Sequence, residues 1–217
     1  MRNVGVKMRK QRGAAILVVM LILLVITVLG ITAVRMGLTS LTIATNSQVS
    51  AVVFQSADAG LVSFEQRVSA GLYEAGQATG VIGPALNAPG SEVIYCVTKG
   101  DRLRLGGCQA DVAADFTSAR DVAINQIAVE VPANADGEPM KALVLGTDAD
   151  RAGIPTYRLR VHSTAVIPVY GSADSDDLNT CLAMPNDDSA ETVTDCLTDA
   201  GAVFTTMVQE YNYGFNE

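Results

Sequence analysis

From Ala14 to Val34 the chain carries 21 residues without a charge, and the twelve residues before Gly13 hold five basic side chains and no acidic one. As a helix this run is roughly 32 Å long, enough to cross the hydrocarbon core of a bilayer. The basic head is expected to stay on the cytoplasmic side while the rest of the chain is exported. After Arg35 the pattern changes. Val49, Val53, Ala57, Gly60, Leu61, Phe64 and Val68 recur at helical spacing, with Gln48, Gln55, Asp58, Glu65 and Gln66 on the wetter faces. No proline interrupts Ala14 to about Ala70, so one helix of roughly 85 Å is predicted. Its first half is apolar all round, and its second half offers one stripe for packing on a head. Thr39–Ser50 is a weak helix former, and Gly30 and Gly37 each cost about 1 kcal/mol against alanine, weak points that would let the helix bend or partly melt in a filament.

Beyond residue 70 lie 147 residues, enough to bury a core. Gly76–Gly90 reads as a Gly/Pro/Ala-rich connector. Strands are predicted at Val93–Val97, Ala123–Val131 and Tyr157–Ala165, with a weaker one at Lys141–Leu145 and a last at Ala202–Tyr213. A helix followed by antiparallel strands argues for an α+β fold, the helix laid across the sheet. The expected organisation is a leader over residues 1–13, a helix over 14–70 with 14–34 spanning the membrane, and a β-rich exported head over 71–217.

Two processing events fit such a start. A secretory signal has the same basic head, but its apolar stretch is shorter and is cut on its far side; Ile31-Thr32-Ala33 is a tolerable though poor site for that. The apolar pattern, however, continues into helix-compatible sequence rather than into a turn-rich cleavage region. The alternative is a cut after Gly13 that frees Ala14 as the new N-terminus.

Here the residues support a family resemblance. Arg12-Gly13-Ala14-Ala15-Ile16-Leu17-Val18-Val19, then Leu23-Leu24, then Gly30-Ile31-Thr32-Ala33-Val34-Arg35, then Val53-Phe54-Gln55-Ser56-Ala57-Asp58-Ala59-Gly60-Leu61 resemble, in order and spacing, the N-terminal region of PilX-type minor pilins of type IV pili. The leader is similar to the class III leader of prepilins. Asp58 stands where that family usually has Glu. The Tyr157–Val161 strand and the closing Val203–Tyr211 strand also resemble the family's C-terminal sheet, more loosely.

The resemblance implies a pilin-like fold and a non-enzymatic role. A prepilin peptidase would cut between Gly13 and Ala14, and Ala14 would be N-methylated. The subunit would wait in the inner membrane as a single-pass protein with its N-terminus cytoplasmic. It would then enter a bacterial filament running from the periplasm to the cell surface, alongside other minor pilins and the major pilin. Assembly initiation, pilus extension, twitching motility, adhesion and DNA uptake are the roles such subunits support. Counting from Ala14, the fifth residue is Val18, where most major pilins carry a Glu thought to pair with a neighbour's N-terminus. Its absence is read either as drift within the family or as a place at or near the filament tip. A type II secretion pseudopilin, or a signal-anchored envelope enzyme or binding protein, stands as the alternative.

The net charge of −8 becomes −13 once Arg2, Lys7, Arg9, Lys10 and Arg12 are removed with the leader, leaving ten basic residues against 23 acidic. Such acidity repels phosphates and argues against direct nucleic-acid binding. Four cysteines on the exported side read as two disulfides. Three connectivities are possible, and Cys96–Cys108 with Cys181–Cys196 is favoured because each closes a short local loop. Gly171–Ala200 contains eight acidic residues and no basic one. It is read as a solvated, charge-rich loop, with Asp174, Asp176, Asp177 and Asn179 as a weak calcium candidate. No other metal site or cofactor is expected. The single histidine, His162, falls inside a predicted strand in a packing or surface role, and no catalytic or nucleotide-binding motif is present.

Overall fold

The structure, a computed structural model, describes residues 14–100, 102–117, 122–141, 156–187 and 191–214. The leader with Gly13, and the expected strand Lys141–Leu145 beyond its first residue, lie outside these. The chain divides into two units, one ending at Val49 and one from Ser50 onward.

An uninterrupted helix, α1, runs Ala14–Ser69. In the first unit its large apolar side chains, from Ile16 to Ile43, are all exposed. The threonines that weaken this stretch by propensity turn their hydroxyls back onto the helix. Thr27 donates to the Leu23 carbonyl at 2.7 Å, and Thr39, Thr42 and Thr45 do the same four residues back at 2.9–3.0 Å. Each hydroxyl is thereby satisfied without water. The helix is continuous through Gly30 and Gly37 as well.

In the second unit the last five turns of α1 bury Val53, Ala57, Gly60, Leu61, Ser63 and Phe64, while Gln55, Asp58, Glu65 and Gln66 stay wet. Two short helices come next, α2 (Leu72–Gly76), which ends where the stretch read from sequence as a connector begins, and α3 (Gly83–Asn87), which lies within it. The sheet comprises β1 (Glu92–Thr98), β2 (Arg102–Leu105), β3 (Ile124–Glu130), β4 (Thr156–Gly171) and β5 (Ala202–Gly214), ordered β2-β1-β3-β4-β5 and antiparallel throughout. A short 3₁₀ turn, Ala113–Asp115, lies between the second strand and the third. Asp115, almost wholly buried, accepts there from Arg104 at 2.5 Å and from the Gln109 amide at 2.8 Å.

Alternation along the strands sends successive side chains to opposite faces. One face receives α1: Leu61 and Phe64 pack with Tyr95, Val97, Ile127, Val129, Leu159 and Val161. The other face supports a second core of Cys96, Cys108, Ile124 and Val166 against two further helices, α4 (Ser175–Cys181) and α5 (Val193–Asp199).

These helices correct the reading of Gly171–Ala200 as a solvated loop. Leu178 and Leu182, then Val193 and Leu197, are apolar four apart and fully buried, whereas each described acidic residue of the stretch is exposed. Asp174 caps α4 by accepting from the Asp177 amide, and Thr192 with Asp195 forms a capping box on α5. The acidity solvates one side of a packed layer. Disulfides join Cys96 to Cys108, tying β1 to the segment after β2, and Cys181 to Cys196, tying α4 to α5.

Candidate functional site

The head binds the end of α1 through polar groups as well as through its apolar core. Asn125 on β3 donates to the Ser56 carbonyl at 2.5 Å, and Ser163 on β4 donates to the Ala57 carbonyl at 2.7 Å; the two residues also bond each other at 3.0 Å. Gly60, one turn on, leaves the room they occupy, since a Cβ there would meet Asn125 and Ser163. Tyr213 donates to the Leu72 carbonyl, and Tyr211 stacks obliquely on Phe64 with ring centres 5.8 Å apart.

The stem is the other surface with a functional character. Arg35 is the only charge from Ala14 through Ala57. Over Ala15–Val34 every side chain is exposed, Val18 among them, so nothing within its own unit covers this surface. One described helix is thus long and apolar enough to cross a bilayer. In water each large apolar chain left uncovered would forgo about 2 kcal/mol. Lipid or other apolar helices are the environments that suit it.

On the sheet face away from α1 lies a charged row: Glu92, Glu130, Arg160 and Glu210 are register partners on β1, β3, β4 and β5. Arg160 bridges Glu130 at 3.3 Å and Asp187 at 3.1 Å, and lies 3.9 Å from Glu210. Next to it, His162 is buried beside Glu92 and Asp187. Burial pushes the Glu92 carboxyl up, against amide donors from Asn186 and Asp187, and holds the His162 imidazole below its usual range.

The PilX N-terminal family model matches residues 12–62. Residues 12–62 are similar to the N-terminal segment of PilX-type pilins. The PilX-type match takes in the apolar stem, with Arg35, and the packed stripe as far as Leu61, and leaves most of the head beyond it. No curated protein and no solved structure gives a significant match.

Beside this PilX-type segment, two of the four residues of the weak calcium candidate have hydrogen-bond partners within the head. Asp174 is engaged as the α4 cap. Asn179 accepts from the Ala110 amide at 2.5 Å and donates to Asp111 at 3.2 Å, which anchors α4 to the segment after β2. Asp176 and Asp177 are exposed in the first turn of α4. Among the described residues, the histidine-carboxylate cluster that could hold an ion is instead Glu92, His162 and Asp187. By sequence His162 has only a packing or surface role, and nothing singles out the other two. The three are 70 and 25 residues apart, so no spacing motif links them.

Proposed function

We propose that this protein is a minor pilin, a structural subunit that enters a type IV pilus and promotes its assembly. The observation that carries the reading is the PilX-type match over residues 12–62, on a stem whose apolar side chains nothing in its own unit covers. A prepilin peptidase cuts between Gly13 and Ala14 and Ala14 is methylated. The stem first rests in the inner membrane, N-terminus cytoplasmic, and then leaves lipid for the filament core beside the helices of other minor pilins and the major pilin. Lipid is as apolar as leucine, so that transfer gains nothing from the hydrophobic effect and depends on close helix packing. Gly30 and Gly37, with open space around them, suit such an approach. The role is mechanical rather than catalytic, and it underlies pilus extension, twitching motility, adhesion or DNA uptake.

Val18 gives the reading its position. A carboxylate in a bilayer is costly unless paired. A subunit with valine there inserts without that cost and offers no partner to a neighbour's cationic N-terminus. It therefore fits an end of the filament, within an initiation complex, better than the shaft.

N-terminal sequencing of the mature protein tests the reading. An N-methylated alanine corresponding to Ala14, on protein recovered from sheared filaments, is the expected result. An intact Met1, or a start near Val34, refutes it. Immunogold labelling tests the position: label at filament ends supports it, and even label along shafts overturns it.

A further inference from the structure

Glu92, His162 and Asp187 belong to the head and not to the apolar stem, and their convergence stands on the head's geometry alone, whatever the stem assembles with. Glu92 opens β1, His162 lies in the middle of β4, and Asp187 comes after the Met184-Pro185-Asn186 segment that leaves α4. His162 Nε2 is 3.8 Å from Glu92 Oε1 and 3.7 Å from Asp187 Oδ2, and the three atoms lie within 4.8 Å of one another.

Two of these atoms are buried without a partner. The side chains of Glu92 and His162 are 4% and 7% exposed, and neither Glu92 Oε1 nor His162 Nε2 makes a hydrogen bond. More than about nine in ten buried polar groups are paired, and an unpaired one is costly, so two facing each other call for a ligand between them. Their aim is fixed by the fold. The Asn186 amide donates to Glu92 Oε2, which turns Oε1 toward the histidine, and Asn186 is itself held by Thr164 at 3.3 Å.

The geometry points to a zinc-class transition-metal ion bound by His162 Nε2, Glu92 Oε1 and Asp187 Oδ2. Donors around a tetrahedral ion with bonds of about 2.0–2.1 Å stand roughly 3.3 Å apart, so the two histidine–carboxylate separations need to close by only about 0.4 Å. One imidazole with two carboxylates is a zinc-type donor set, whereas calcium and magnesium take oxygen alone. The charge agrees: among the described residues, Glu130, Asp187 and Glu210 share the guanidinium of Arg160, Arg158 pairs with Glu210 at 3.5 Å, and Glu92 faces His162. Arg160 also touches Asp187 Oδ2, so metal entry shifts it toward Glu130 and Glu210. The ion clamps the 184–187 segment to β1 and β4. Three protein ligands leave one position for water.

The test is calorimetric titration of zinc chloride into the full chain in mild detergent near neutral pH. The comparison is with His162→Gln and with Asp187→Asn, whose exposed side chain makes misfolding a poor explanation for lost binding. One ion bound per chain, with affinity lowered at least about tenfold in both variants, is expected, because even outer-shell losses cost about that much. X-ray absorption of the zinc-loaded protein should show one imidazole among oxygen donors. No binding by the parent chain, or parent-like binding by Asp187→Asn with no imidazole in the absorption spectrum, overturns the site.

Discussion

Gly60→Ala puts one methyl group into the contact by which the sheet holds α1. Alanine is the better helix former by about 1 kcal/mol, so on propensity alone the change should stabilise. The packing opposes it. A Cβ at Gly60 would run into the amide of Asn125 and the hydroxyl of Ser163, and both are fixed by bonds to the Ser56 and Ala57 carbonyls. Overfilling a packed contact costs about 1–3 kcal/mol, and displacing one of these buried hydrogen bonds about 1 more. Against the propensity gain, the net expectation is a loss of about 2 kcal/mol. Gly37→Ala is the control: nothing lies within 4 Å of its Cβ position, so the propensity term stands alone. The assay is guanidinium unfolding of the full chain in detergent, followed by near-ultraviolet circular dichroism from its six tyrosines. A double-mutant cycle with Asn125→Ala then isolates the part of the clash due to the amide, the Ser163 hydroxyl staying in place. A Gly60→Ala variant as stable as the parent, or one whose cost is unchanged in the Asn125→Ala background, would refute the reasoning.

Three further outcomes concern the head. Replacing Cys181 and Cys196 by serine should cost about 3 kcal/mol for a loop of this length, with hydrogen exchange rising across α4 and α5 while β1 and β3 stay protected. Asp115→Ala leaves the Gln109 amide and Arg104 without their shared acceptor and should lose about 2 kcal/mol in a chemical melt, while Asp115→Asn should recover part of it. Burial raises the Glu130 carboxyl above 4.5, with Arg160 pulling it down. The stability this group contributes is therefore full below pH 4.5 and is lost as pH rises through its elevated folded value. Glu130→Gln should gain on the parent over that window in denaturant titrations, and a constant difference from acid to neutral pH would contradict the direction of the shift.

The long helix and the α+β order were legible because each rests on local periodicity. The Val53-Ala57-Leu61-Phe64 stripe needs only a spacing of about four, and β4 shows its alternation in Tyr157-Arg158-Leu159-Arg160-Val161. β2 escaped notice because Arg102-Leu103-Arg104-Leu105 is four residues of alternating charge and leucine between glycines, and it pairs only with β1. The α4–α5 pair escaped for a different reason. Its acidity dominates the composition, and the four buried residues Leu178, Leu182, Val193 and Leu197 are split by a Pro-containing stretch. The two caps, Asp174 and Thr192, were the local signals that could have revealed it. Glu92, His162 and Asp187 were beyond any such reading, since only strand register and the path of the chain after α4 bring them together.

The sheet's second face explains why a polar cluster sits where it does. Its cross-strand rows run from Ile124, Val166 and Phe204, through Cys96, Gln126, Thr164 and Thr206, then Ile94, Ala128, His162 and Val208, to Glu92, Glu130, Arg160 and Glu210. Apolar residues lie where α4 and α5 cover the sheet, and charges lie at the far end. His162 occupies the row between. The 184–187 segment folds back beside it, with Asp187 3.7 Å from the imidazole, and that segment is held by polar bonds: Gln126 to the Met184 carbonyl at 2.8 Å, Thr164 to Asn186, and the Asn186 amide to Glu92. An apolar row there would have left these backbone groups unmet, because a chain crossing a sheet face brings amides and carbonyls with it. The polar side chains thus answer the backbone that covers them. Among the described residues, Glu92 Oε1, His162 Nε2, Gln126 Oε1 and Asn186 Nδ2 are the side-chain atoms of that arrangement left without a hydrogen bond, and the first two face each other.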